Sequence, residues 1–267
     1  MRLGRVLHLF VFTLFLLFPI AAQQTSTTAQ SPQRDSQATA LLQAAIQAMG
    51  GTAPSDSVAL GSVSLLEGSL TTSGTIRILT RGTIQTSVQV QANAKAWSVV
   101  YSNGQATRTE ERSSTVLPLE LAATSQSAYL PLPFLSHLLG NPDVAHEYMG
   151  PETVSGELVQ HIRTWDTFSS TPSLHFLSGF TVTDIWFDTS TNLPKTVSFV
   201  RRDGDGSTPK IPITVSYSEF QKVNGVVYAS QIQESVNGTP WATIMLRSIA
   251  VNTGLTDADF PVVPGSN

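Results

Sequence analysis

Apolar and polar residues fall into distinct patterns along the chain. Residues 38–49 carry Leu41, Leu42, Ala45, Ile46 and Met49 at helical spacing, which predicts one amphipathic helix. Gly50-Gly51 follows and supplies the left-handed backbone that ends such a helix. From residue 57 to 112 the period changes to two. Ile84, Thr86, Val88 and Val90 alternate with Gln85, Ser87, Gln89 and Gln91, a half-buried strand. Trp97, Val99 and Tyr101 define the next strand, and Asn103-Gly104 marks a tight hairpin into residues 105–112. Residues 144–168 read as strands again, and residues 174–180 lead into a meander.

That meander, residues 181–251, is the scaffold. Ile211, Ile213, Val215 and Tyr217 alternate with Pro212, Thr214, Ser216 and Ser218, putting one face in a core. Asn224-Gly225 and Asn237-Gly238 supply the positive φ angles of two further hairpins. The cluster 188–194 is a turn between strands at 181–187 and 196–202.

Between the two β regions, residues 117–139 break the alternation. Leu117, Leu119, Leu121, Tyr129, Leu130, Leu132, Phe134, Leu135, Leu138 and Leu139 make this stretch strongly apolar. Pro118, Pro131 and Pro133 restrict where helices can start. One short helix is expected near 119–128 and another near 134–139, ended by Gly140-Asn141-Pro142. Such an insertion is either a plug over the open face of a sheet or a movable lid, and the plug is the commoner case.

The N-terminus has a different layout. Arg2 and Arg5 precede an apolar run from Val6 to Ile20, broken by His8, Thr13 and Pro19 and followed by Ala21-Ala22. This is the pattern of a secretory signal peptide, residues 1–22, cleaved after Ala22. The run is short for a bilayer span, which takes about 20 residues. Residues 23–37, QQTSTTAQSPQRDSQ, are too polar for a core and read as a disordered leader. A single domain is expected over 38–260, with a tail at 261–267.

Composition narrows the function classes. Charged residues are 13% of the chain, about half the usual share, with Ser and Thr supplying polarity in a manner suited to strands. A net charge of −4 without a basic run argues against nucleic acid as a partner, because phosphates require clustered Lys and Arg. The absence of cysteine excludes disulfides, thiol catalysis, cysteine metal sites and a lipidated N-terminal cysteine. With the signal peptide, the expected location is the periplasm or the exterior.

Catalytic patterns are sparse. His137, His146, His161 and His175 form no close metal spacing, and no Gly-x-Ser-x-Gly elbow, Ser-x-x-Lys nucleophile or phosphate loop occurs. His146-Glu147 and His161 read as polar strand faces, and His137 as a helix-surface residue. Asp203-Gly-Asp205-Gly lacks the remaining ligands of a calcium loop and reads as a hairpin turn. Asp188 reads as a turn former. Trp97, Trp165, Trp186 and Trp241 all lie in strand-like runs. Each alone is ordinary core packing; together with the aliphatic insertion they favour an apolar cavity.

The order of these motifs resembles the bacterial periplasmic lipoprotein-carrier superfamily (LolA/LolB-like). The matching residues are the helix ending in Met49-Gly50-Gly51 and the Ile185-Trp186-Phe187-Asp188…Leu193-Pro194 hairpin. Phe220…Val223-Asn224-Gly225-Val226 and the closing Val251-Asn252-Thr253-Gly254-Leu255…Phe260 complete them, over roughly residues 38–260. The resemblance implies a mainly β (α+β) fold: a strongly curved antiparallel sheet, an incomplete β-barrel with helices covering the concave face. It also implies an exported, non-catalytic protein that holds a lipid or lipoprotein acyl chains, with no cofactor or metal. The expected cavity and lid residues are Trp97, Phe134, Leu135, Leu138, Leu139, Trp186 and Trp241. Two alternatives stand: a module binding another envelope protein, and a hydrolase whose first candidates are His161, His175 and Asp188. The chain departs from the better-known carriers in its 117–139 insertion and long leader. No arginine here is matched to the one that holds their lid.

Overall fold

The computed structural model describes residues 33–93, 95–111, 113–124, 128–201 and 210–263. The expected signal peptide, leader positions 23–32, the Asp203–Asp205 loop and tail positions 264–267 lie outside the described residues. No helix among the described residues is long and apolar enough to cross a membrane.

Six strands follow the first helix: β1 (Asp56–Glu67), β2 (Leu70–Arg81), β3 (Gln85–Ala92), β4 (Lys95–Ser102), β5 (Gln105–Glu110) and β6 (Ser113–Val116). Seven more come after residue 143: β7 (Val144–Val154), β8 (Glu157–Asp166), β9 (Thr183–Asp188), β10 (Pro194–Arg201), β11 (Ile211–Val223), β12 (Val226–Val236) and β13 (Thr239–Val251). All thirteen form one antiparallel sheet ordered β6-β5-β4-β3-β2-β1-β13-β12-β11-β10-β9-β8-β7. Every neighbour is the next strand in sequence except β1 and β13, which pair at the centre. The chain therefore walks from the centre to one edge, crosses to the opposite edge, and walks back. β6 and β7 do not pair, so the sheet is not closed into a barrel. The apolar insertion is this crossing. Its path from edge to edge carries it over one face, here called the inner face, which gives its apolar residues something to bury against.

The alternation sets the two faces as the sequence predicts. Ile213, Val215 and Tyr217 of β11 are buried inward, as are Ile185 and Phe187 of β9. The Asn-Gly pairs adopt left-handed backbone at all three hairpins: φ is 51° and 78° at Asn103-Gly104, 50° and 88° at Asn224-Gly225, 51° and 75° at Asn237-Gly238. These mirror-image turns match the right-handed twist of the flanking strands.

Helix α1 (Ser36–Ala48) lies against the inner core through Ala38, Leu42, Ala45 and Ile46. It begins inside the segment expected to be a disordered leader, because Asp35 caps it. The Asp35 carboxylate accepts from the amides of Gln37 at 2.8 Å and Ala38 at 2.9 Å. Upstream, residues 33–35 pair with the edge of β7 at His146: the Asp35 amide donates to the His146 carbonyl, and the His146 amide donates to the Gln33 carbonyl. Residues 33–37, expected in the leader, are thus tied to the sheet and to α1. At its other end the helix closes in a Schellman pattern, with Gly51 N–H to Ile46 at 2.8 Å and Gly50 N–H to Gln47 at 3.1 Å. Gly50 has φ 118°, and a Cβ there would sit 2.6 Å from the Gly225 carbonyl. Only glycine lets the helix end dock on the β11–β12 hairpin, where the Val227 amide donates to the Met49 carbonyl.

The outer face is partly covered too. After β13 the chain turns back, and Leu255, Phe260 and Val262 pack on Val58, Leu79 and Val100. Gln85 and Ser87 of β3, the polar side of the alternation, are consequently buried. Gln85 Nε2 donates to Ser102 Oγ at 3.0 Å and to Asp257 Oδ1 at 2.9 Å. The return is pinned by Asp56, whose carboxylate accepts from the Thr253 amide and hydroxyl and the Gly254 amide.

Candidate functional site

The crossing segment contains α2 (Leu119–Thr124) and α3 (Pro131–Gly140). Pro131 and Pro133 lie in the first turn of α3, where missing amides cost nothing. Among the described residues, two sizeable cavities lie between this segment and the inner face. The larger, about 500 Å³, lies under Leu117, Leu121, Ala128 and Tyr129. Its floor is Val88, Trp97, Val99, Val215, Val236 and Trp241. The smaller, about 300 Å³, lies under Phe134 and Leu138 of α3 and is closed by Leu174 and Leu177 of the 3₁₀ helix Pro172–Phe180. Tyr101, Ala128 and Phe199 line both.

The polar groups of the larger chamber are few. Arg108 stands over the Trp97 ring at 5.3 Å and pairs with Glu110 at 2.6 Å. Glu234, buried at 3% exposure, accepts a hydrogen bond from the Tyr129 hydroxyl. Burial pushes the Glu234 carboxyl above the ordinary glutamate value, against the opposing pull of Tyr129 and the Arg201 charge. Burial, and then the Glu234 charge, likewise push the Tyr129 phenol well up. The Tyr217 hydroxyl donates to the Ala128 carbonyl at 2.5 Å. The cover of the chamber is thus tied to its floor through two tyrosines.

α3 is held differently. Leu132 and Leu135 are fully buried, and α3 packs on α1. Its C-terminal carbonyls, which have no partners within the helix, receive two side chains from elsewhere. Arg34 donates to the carbonyls of Leu139 at 3.2 Å, Asn141, and Val144 at 3.1 Å. His146 Nε2 donates to the Leu138 carbonyl at 2.9 Å. Burial keeps the fully enclosed His146 below its ordinary value, and the Arg34 charge adds to this. Neither residue was predicted for this role. Arg34 is 110 positions from Val144 and sits in a segment whose composition suggests disorder, so no local pattern reveals the clamp.

The seven residues expected at a cavity divide accordingly. Trp97 and Trp241 line the larger chamber. Trp241 does so at a β-bulge: Glu234 pairs with Ala242 and Ser235 with Pro240, leaving Trp241 unpaired between them. Phe134 and Leu138 line the smaller chamber. Leu135 lines neither, being enclosed in the core, and Leu139 is half-buried against that core. Trp186 is on the wrong face. Its neighbours Ile185 and Phe187 take the inner positions, so the period-2 alternation sends the indole outward.

There Trp186 stacks on His161, with ring centroids 4.5 Å apart, and its Nε1 donates to Glu152 at 3.0 Å. His161 is bonded at both nitrogens, to Glu152 at 2.6 Å and Asp184 at 2.8 Å, and Arg163 also binds Asp184. Burial works to lower His161, but the two carboxylates outweigh it and hold the imidazole above its ordinary value. The three hydrolase candidates are not assembled. His161 is locked between carboxylates, exposed His175 bonds the Thr167 carbonyl at 2.9 Å, and Asp188 is engaged by Ser190 and Thr191 in its own turn. His137, expected on a helix surface, is 9% exposed and lines the smaller chamber, where burial lowers it.

Neither a protein-family model nor a curated protein matches the chain by sequence. Solved structures do match by shape. An outer membrane lipoprotein-sorting protein domain from Vibrio parahaemolyticus superposes with a TM-score of 0.56 at 12% identity, over 84% of this chain and 96% of the other. A LolA superfamily protein from Nitrosomonas europaea gives 0.55 at 13% identity, over 84% and 97%. A DUF1329 family protein from Desulfovibrio piger gives 0.53 at 12% identity, over 84% and 97%. The fold is therefore LolA-like, as the motif order implied.

Proposed function

We propose that this chain is an exported, non-catalytic binding protein that holds the apolar part of a lipid or lipidated protein. The observation carrying the proposal is the roughly 500 Å³ chamber between sheet and crossing segment. Its size suits one ligand rather than a packed core. Trp97 and Trp241 give it large apolar surfaces, and every methylene transferred from water contributes about 0.8 kcal/mol. Glu234 is bound by Tyr129 and Arg108 by Glu110, an arrangement without a grouped acid, base and nucleophile. The LolA-like fold is consistent with this use, since one matching structure is described as lipoprotein-sorting. The periplasm or cell exterior is the location this reading requires, with the N-terminal segment acting as a signal peptide.

The test is native mass spectrometry of the protein purified from a bacterial envelope, followed by solvent extraction. A bound mass released as lipid supports the reading and identifies the cargo. A clean apo mass that takes up no added lipid contradicts it. A co-purifying protein would favour the second reading, an envelope interaction module. That reading has one observation behind it: β6 is an edge strand whose four residues are all exposed, open to pairing with another chain.

A further inference from the structure

Resting on the binding reading, we infer that the chamber selects amphiphiles with a single anionic head, and that Arg201 is the head's anchor. Among the described residues, the chamber has two cationic side chains, Arg108 and Arg201. Arg108 is already engaged by Glu110 and by the Trp97 ring. Arg201 ends β10 and is half-buried at the chamber wall. Among the described residues, no hydrogen bond or ion pair holds its guanidinium. Glu234 attracts it through space but does not pair with it. The Glu234 carboxylate is instead committed to the Tyr129 hydroxyl.

A guanidinium with no bonded partner among the described residues, in a chamber whose buried carboxylate is held by Tyr129, discriminates between ligands. A neutral amphiphile filling the chamber would strip water from Arg201 and return nothing, a cost that burial of unpaired charge makes large. A cationic head would be repelled. A carboxylate or phosphate accepts two parallel bonds from the planar fork while its chain lies on Trp97 and Trp241. The opposing possibility is that the Arg201 stem lies on the wall while its head remains in water, in which case it selects nothing. The same head chemistry is found on a free fatty acid and on a lipid phosphate, so the probes must separate them.

Hexadecanoate, hexadecyl phosphate and hexadecanol share one chain and differ only in head. Their dissociation constants can be read from the fluorescence of Trp97 and Trp241. The inference predicts that one or both anions bind at least about tenfold tighter than the alcohol, the scale of a charge-assisted pair. The tighter of the two identifies the source, carboxylate or phosphate. In Arg201→Gln the anion-to-alcohol ratio should fall to about 1, and Arg201→Lys should recover part of it. Equal binding of all three probes, or an undiminished ratio in Arg201→Gln, overturns the anchor while the binding reading stands. Failure of every probe to bind would remove both.

Discussion

The two halves of the crossing segment do different work. α3 is a plug: Leu132 and Leu135 have no exposed surface, and Arg34 and His146 bond its last carbonyls. Leu117, Leu121, Ala128 and Tyr129 roof the larger chamber, tied down by Tyr129 to Glu234 and by Tyr217 to Ala128. Burial separates them: Leu132 and Leu135 are fully enclosed while Leu119 is exposed and Leu121 half-buried, and this sets which half can move aside without unfolding the sheet.

Substitutions should sharpen this contrast. Leu135→Ala is expected to have the largest effect, about 2–5 kcal/mol of stability by urea unfolding, since it empties a closed site. Leu121→Asp, on the roof, should leave the unfolding midpoint nearly unchanged while abolishing lipid uptake. If the two exchanged effects, the assignment of plug and roof would be reversed. Arg34→Ala comes next. Losing its bonds to three carbonyls should cost about 1–3 kcal/mol, with faster amide exchange confined to the end of α3 and the start of β7.

The smaller effects are pH-dependent and of like sign in two unlike places. Glu234 on the inner face is raised by burial, so its contribution is full at low pH and falls as pH rises beyond the ordinary glutamate value. His161 on the outer face is raised by Glu152 and Asp184 against burial. Its contribution is complete below the unfolded histidine value and is lost as pH rises through the higher folded one. Glu234→Gln should flatten the acidic part of the stability profile and His161→Gln the part above neutrality, measured by melting temperature across pH. Persistence of either slope in its variant would contradict the assignment.

The sheet was legible because its signals are local. Asn224-Gly225 dictates a hairpin wherever it falls, and the alternation at Ile213, Val215 and Tyr217 needs no partner to be recognised. The chamber was less legible because it depends on register. Trp186 and Trp97 look alike in sequence, and only the positions of Ile185 and Phe187 send one outward. Trp241 depends on a bulge that its strand does not announce. Leu135 and Leu121 differ by what lies beneath them after the chain has crossed the sheet. Arg34 was beyond reach, since its partners are more than 100 positions away.

The most direct test of the central claim uses a lipid brominated along its acyl chain and variants retaining one tryptophan each. The account predicts strong quenching of Trp97 and of Trp241, which line the chamber, and none of Trp186 on the outer face. Equal quenching of Trp186, or quenching of neither chamber tryptophan while the lipid remains bound, would contradict it.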